Sequence, residues 1–251
     1  MTFLQKLDKI IKKNNSLLCV GLDNGDFKFN KKIIDQTYDL VCAYKPNSAF
    51  YEAHGAKGIE ELKITFNYIQ NNYPNIPTVL DAKRGDIGNT NEGYVKFAFD
   101  YLNADAITLH PYLGKEALNP FLEHKEKGCF ILCKTSNPGS GEFQNFGENN
   151  NPLYLKVAKN VYENWNYNKN CCLVVGATYP RELAKIRKIV GNMIILVPGI
   201  GAQGGDLGKT LKAGLTKQKS GLIINSSRGI IFAENPRTAA LTLRNEINKF
   251  R

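Results

Sequence analysis

Four charged residues in one short run, Asp81-Ala82-Lys83-Arg84-Gly85-Asp86, are the sharpest chemical feature of the sequence. On a β-strand, residues two apart share a face, so Asp81 and Lys83 are expected to project together while Leu80 and Ala82 turn the other way. Gly85 opens a loop that brings in Asp86 shortly after the lysine. Carboxylates on either side favour the ammonium form, so Lys83 would keep its proton and serve as an acid rather than as a base or a Schiff-base nucleophile. The plain alternative is a structural salt-bridge cluster, but burying several charges returns less than it costs unless function requires them.

A second set of residues reads as an anion site. Pro198-Gly199-Ile200-Gly201-Ala202-Gln203-Gly204-Gly205 is followed by Asp206 at an expected helix start. Glycines let backbone N–H groups approach an anion closely, and a helix N-terminus adds the positive end of its dipole. Further along, Asn225-Ser226-Ser227-Arg228-Gly229 supplies a guanidinium, which can grip phosphate through two parallel hydrogen bonds. A glycine-rich turn alone is ordinary loop geometry. With Arg228 at the next strand, the pair points to a phosphate monoester.

Such residues need a scaffold that gathers them. Short apolar or β-branched runs at 17–22, 40–44, 78–82, 106–109, 129–133, 171–175, 194–197 and 221–225 alternate with helical periodicity near 30–39, 58–72, 90–102, 114–123, 152–166, 180–190, 206–213 and 236–249. Strands alternating with helices of about 10–15 residues argue for βαβ units and a parallel sheet. About eight such units close into a barrel, and roughly 250 residues is the usual size of one. An open doubly wound sheet is the alternative, but Gly21-Leu22-Asp23-Asn24-Gly25 after the first strand is not a G-x-G-x-x-G turn. The expectation is an α/β fold, a (β/α)8 TIM barrel forming a single domain over residues 1–251.

In that fold the polar groups fall at C-terminal strand ends, where barrels carry their chemistry. Strand 1 ends in Gly21-Leu22-Asp23, strand 2 in Lys45-Pro46-Asn47 and strand 3 in Asp81-Ala82-Lys83. Strand 5 ends in Lys134-Thr135-Ser136-Asn137, and strands 7 and 8 in Pro198-Gly199 and Ser226-Ser227-Arg228. The polar stretch 136–151 follows strand 5 at the same rim. Loops longer than about 12 residues in a compact domain are usually functional or mobile, and a surface insertion is the plainer reading.

Composition narrows the function classes. Hydrophobic residues make up 43% and charged residues 22%, enough apolar material for a sizeable core. No apolar run of about 18 residues suggests a membrane span, and residues 1–14 carry lysines and isolated apolar residues rather than a secretory signal. The net charge of +10 is spread along the chain without a dense basic block or interleaved aromatic residues, which argues against nucleic acid and suits an anionic small substrate. The six cysteines lie mostly in strand-like runs, with neither zinc-knuckle nor disulfide-scaffold spacing, as expected of reduced thiols in a cytoplasmic protein. Cys129 and Cys133 would share a strand face, which makes a redox pair conceivable. The histidines His54, His110 and His124 are scattered, so no metal site is expected.

On these residues the chain resembles the orotidine 5′-phosphate decarboxylase family, in particular its longer bacterial-type subgroup. The likeness runs from Val20-Gly21-Leu22-Asp23 to Asn225-Ser226-Ser227-Arg228-Gly229. Its most specific piece is Asp81-Ala82-Lys83-Arg84-Gly85-Asp86-Ile87-Gly88-Asn89-Thr90, supported by Lys45-Pro46-Asn47, Thr135-Ser136-Asn137-Pro138-Gly139-Ser140 and residues 198–205. The resemblance implies cofactor-free conversion of orotidylate to UMP, with Lys45, Asp81, Lys83 and Asp86 as the lysine–aspartate array. Lys83 matches the lysine that protonates C6 of the pyrimidine, Asp81 would lie against the substrate carboxylate, and Lys45 would orient and neutralise the array. Asp86, Ile87 and Thr90 match a segment that the family donates across a homodimer interface. Asp23 matches a ribose contact and Ser136 a base contact. Pro198, Gln203, Gly204 and Arg228 match the phosphate end.

Two other readings compete. A magnesium-dependent decarboxylase or aldolase of the same barrel superfamily shares Asp-x-Lys-x-x-Asp but has a metal-binding glutamate on a neighbouring strand, where Lys45 stands here. A non-catalytic phosphate-binding barrel would have no use for Lys45, Asp81, Lys83 and Asp86 together.

Overall fold

The computed structural model describes residues 1–148, 151–201 and 204–251. Its strands are β1 (Leu18–Leu22), β2 (Ala43–Pro46), β3 (Val79–Arg84), β4 (Ala106–Leu109), β5 (Gly128–Lys134), β6 (Cys171–Val175), β7 (Ile195–Val197) and β8 (Leu222–Ser226). All pair in parallel, in the order β2-β1-β8-β7-β6-β5-β4-β3. Parallel bridges Tyr44–Thr78 and Asn47–Asp81 join the two ends of that order, so the sheet closes into a (β/α)8 barrel. Parallel strands need crossovers, and helices supply them on the outside. Strands buried on both faces read as near-continuous apolar runs, as Leu222-Ile223-Ile224 and Leu173-Val174-Val175 do.

The helices follow the periodicity, with shifted ends. α1 spans Phe3–Asn14, α2 Phe27–Thr37, α3 Ser48–Glu52, α4 Gly55–Asn72, α5 Gly88–Val95 and α6 Gly114–Leu122. After them come α7 (Gly141–Gln144), α8 (Leu153–Asn160), α9 (Pro180–Val190), α10 (Leu207–Gly214), α11 (Arg228–Ile231) and α12 (Pro236–Asn248). The expected helices 90–102 and 152–166 each change to π geometry part-way, at Lys96–Tyr101 and Val161–Trp165. Strand 2 lies later than the apolar run 40–44. Leu40, Val41 and Cys42 are buried on the approach to the sheet, while pairing begins at Ala43.

Helix α1 is an addition to the expected elements. Thr2 and Gln5 form a capping box, and Phe3, Leu7, Ile10 and Ile11 are buried along one face at helical spacing. Phe3 packs edge-on against Phe130 with ring centroids 5.6 Å apart and fits where Gly128 has no Cβ. Lys6 pairs with Asp105 at 2.8 Å. The helix thus seals the end of the barrel where β5 begins, away from the strand ends that carry the polar groups.

The stretch after β5 is folded. It contains a 3-10 turn (Pro138–Ser140), α7 and the paired segments Gly147–Glu148 and Asn151–Pro152. All six cysteines are buried and free. Cys129 and Cys133 turn to different helices, donating to the carbonyls of Phe121 and Tyr154. Among the described residues no helix is long and apolar enough to cross a membrane.

Candidate active site

A cavity of about 380 Å³ opens at the C-terminal ends of the strands. Asp23, Lys45, Asp81, Lys83, Ser136, Pro198 and Arg228 all line it, so residues from six strand ends meet where the barrel expectation put them. At its centre Asp81 accepts from Lys45 Nζ at 2.6 Å through Oδ2 and from Lys83 Nζ at 2.6 Å through Oδ1. Thr108, on β4, donates to Asp81 Oδ1 at 2.9 Å and accepts from the Lys83 backbone N–H at 2.9 Å. Thr108 is missing from the residues read off the sequence; its one signal there is that it is the polar residue in the otherwise apolar strand Ala106-Ile107-Thr108-Leu109.

Asp81 and Lys83 do meet, but not by simple strand alternation. The β3–β4 register shifts between Leu80 and Arg84, and Lys83 takes a left-handed backbone with φ of 48°. A non-glycine residue there is uncommon and strained. The Thr108 hydroxyl holds the Lys83 N–H, and the side chain swings back onto Asp81. Gly85 follows in a turn pinned by His110 Nε2 against the Gly85 carbonyl at 2.9 Å; a Cβ at Gly85 would stand 2.6 Å from that ring. Arg84 leaves the mouth, pairing with Glu52 and lying 5.1 Å from the centroid of Tyr94.

The two lysines differ. Lys45 is 4% exposed and Asp81 8%, whereas half of the Lys83 side chain is open to the cavity. Burial by itself lowers the Lys45 pKa, yet the charges of Asp81 and Asp23 outweigh it and raise it above the usual lysine range. For Asp81, burial raises and the two lysines lower, with the net pKa well below the usual carboxylate range. The signs fix the pH window. Asp81 contributes stability above its unfolded pKa, lost only as pH falls through its depressed folded value; Lys45 contributes below its unfolded pKa, lost only as pH rises through its raised one. Both contributions are therefore complete between about pH 5 and 9. Asp81→Asn strands a buried ammonium and is expected to cost about 3 kcal/mol. Urea unfolding of both proteins across that window should give a difference that does not change with pH.

Across the cavity two side-chain acceptors are unsatisfied. Asp23 Oδ1 and Asn225 Oδ1 are buried without a hydrogen-bond partner among the described residues, acceptors available to hydroxyl or amide donors of a ligand. Gly199 and Ile200 line the wall, and Gly199, Gly201 and Gly204 have φ of 98°, 71° and 80°, which explains the glycines there. Arg228 is exposed to the cavity, and its side chain makes no ion pair or hydrogen bond among the described residues. Asn225 and Asn47 also line the site, and the sequence marks them only as neighbours of charged strand ends. Gly204 is not on the cavity wall, and Gln203 lies outside the described residues.

Asp86, Ile87 and Thr90 are not brought into this cavity. Asp86 caps its own turn, accepting from Ile87 N–H at 2.8 Å, while its backbone N–H donates to Asn91 at 3.0 Å. Within one chain Lys83 is thus paired with one carboxylate rather than held between two. Ile87 is 61% exposed. Among the described residues no three His, Cys, Asp or Glu side chains converge as a metal site would need.

A model of the orotidine 5′-phosphate decarboxylase / HUMPS family matches residues 16–243. The chain belongs to this family. Among its relatives in the family, the orotidine 5′-phosphate decarboxylase of Cellvibrio japonicus is 46% identical, across 99% of this chain and 98% of that protein. The one of Roseiflexus castenholzii is 48% identical with the same coverage of both. The solved structure of Leishmania donovani OMP decarboxylase has a TM-score of 0.93 at 43% identity, covering 100% of this chain and 98% of that one. The resemblance drawn from the motifs therefore holds along the chain, which is an enzyme of the carboxy-lyase class.

Proposed function

We propose that this chain decarboxylates orotidine 5′-phosphate to UMP and carbon dioxide, the last step of de novo UMP biosynthesis, without a cofactor and with Lys83 as the proton donor to C6. The observation that carries the reading is the Lys45–Asp81–Lys83 array facing Arg228 across one cavity. Arg228, with Pro198 and the glycine turn at Gly199 and Ile200, grips the phosphate, and the family resemblance adds Gln203 and Gly204. Asp23 accepts from a ribose hydroxyl, and Ser136 meets the base. The C6 carboxylate then lies beside Asp81.

The chemistry follows from charge. As the bond from C6 to the carboxyl carbon breaks, its electron pair stays on C6 and carbon dioxide leaves. A fixed ammonium at that position stabilises the developing negative charge. Lys83 then transfers a proton from Nζ to C6, giving UMP, and is reprotonated from solvent. Lys45 keeps Asp81 ionised throughout. Binding energy from the remote phosphate helps to orient the reacting carbon.

In the same reading the protein is a cytoplasmic homodimer, residues 1–251 form one domain, and Asp86, Ile87 and Thr90 complete the partner's site. The exposure of Ile87 and of Tyr112 on the adjacent strand-4 loop, 83% exposed, supports a partner on this rim. The magnesium-dependent alternative is disfavoured because the end of β2 carries the Lys45 ammonium 2.6 Å from Asp81. Orotidylate turnover, followed by loss of orotate absorbance, is expected to be unchanged by EDTA. Turnover that stops on chelation and returns with magnesium would overturn the cofactor-free assignment.

A further inference from the structure

A fully buried lysine stands outside the residues assigned to the reaction. Lys134, the last residue of β5, has 0% exposure, and it forms no ion pair among the described residues. Burying an ammonium away from any carboxylate is disfavoured unless its protons are put to use. Its Nζ donates to Ser140 Oγ at 2.9 Å and lies 4.4 Å from the centroid of the Tyr179 ring. The β5–β6 register shifts between Leu132 and Lys134, so the strand is locally re-aimed where this lysine leaves it.

An ammonium donates and never accepts. Ser140 therefore accepts with its oxygen and turns its own proton to Tyr179 Oη at 3.2 Å, and Tyr179 donates to the Asn137 carbonyl at 3.3 Å. The relay has one direction, set by the lysine. It ends on a segment whose Thr135, Ser136 and Asn137 line the cavity. The same segment is held a second time from the loop after β6: Thr178 Oγ1 donates to the Ser136 carbonyl at 3.2 Å, and a Cβ on Gly176 would stand 2.6 Å from Ser136 Cα.

We propose that Lys134 is a positioning residue for base recognition. By orienting the Ser140–Tyr179 relay it clamps residues 135–137 against the loop after β6 and so sets Ser136 toward the pyrimidine. The inference rests on the reading that the base lies at Ser136.

Calorimetric titration with UMP and with ribose 5-phosphate, which lacks the base, separates positioning from general damage. Lys134→Met is expected to weaken UMP binding by about tenfold, the scale of a lost charge-assisted hydrogen bond, with ribose 5-phosphate affected less than about twofold. Lys134→Arg should recover part of the UMP affinity. Tyr179→Phe keeps the ring and cuts the relay, so it serves if the methionine variant does not fold; it is expected to lose UMP affinity by about threefold or more and to spare ribose 5-phosphate. Equal losses for both ligands, or no loss for either, would overturn the role of Lys134. Ser136→Ala tests the underlying reading by itself: UMP affinity unchanged there would remove the base contact, whereas a UMP-selective loss there with unchanged Lys134 variants would remove the positioning role alone.

Discussion

Lys83→Ala protein is expected to lose orotidylate turnover by about a thousandfold or more while still binding UMP. The expectation rests on a division of labour between the two lysines that flank Asp81. Lys45 is buried and remains to neutralise the carboxylate, so the variant keeps a paired Asp81 and its fold. Lys83 is half open to the cavity, and among the described residues its ammonium is held only by the hydrogen bond to Asp81 at 2.6 Å. On the proposed mechanism its loss leaves no proton aimed at C6 and no ammonium where the electron pair collects. Arg228, the proposed phosphate grip on the far cavity wall, is untouched. Turnover with saturating orotidylate and a parallel UMP titration check both halves. Unchanged turnover would remove the proton-donor role, and loss of UMP binding together with turnover would point to a general disruption of the mouth.

The second large effect is a recovery. Asp86→Ala and Lys83→Ala proteins are each expected to be nearly inactive, and mixing them with subunit exchange should restore about a quarter of the wild-type sites. Random exchange of equal amounts makes half of the dimers mixed. On the shared-site proposal, each mixed dimer has one site that lacks both residues and one with Lys83 from one chain and Asp86 from the other. The geometry motivating this is the absence of Asp86 from its own cavity, where it turns back to cap Ile87. Activity measured against the fraction of mixed dimers should rise in proportion. No recovery after exchange has been demonstrated, for example by mass-tagged subunits, would return Asp86 to its own barrel.

The barrel was legible because its strands are buried on both faces and its helices on one, two patterns that survive in a single sequence. Boundaries were less so: Leu40, Val41 and Cys42 are as buried as any strand but lie ahead of the first paired residue. Helix α1 is hard to see in sequence because polar residues interrupt Phe3, Leu7 and the Ile10-Ile11 pair, whose common face emerges only at helical spacing. At the site, Asp81, Lys83, Lys45 and Arg228 could be named because charged groups at successive strand ends are conspicuous. Their connections could not. Thr108 joins Lys83 to Asp81 from another strand, 25 residues away in sequence, and the bulge that brings Lys83 round depends on that pairing. Asp86 was visible as a charge, while its turn away from Lys83 is a property of the folded loop.

The left-handed backbone at Lys83 has a consequence for how this barrel can be altered. A lysine in that conformation costs about 1 kcal/mol or more relative to a residue at ease there, and glycine adopts it without a steric penalty. Lys83→Gly would therefore relieve the backbone strain and keep the turn, while discarding the ammonium and its hydrogen bond to Asp81. Backbone ease and, on the proposed role of Lys83, turnover pull in opposite directions at this one position, so stabilising changes that preserve the ammonium have to come from elsewhere in the chain.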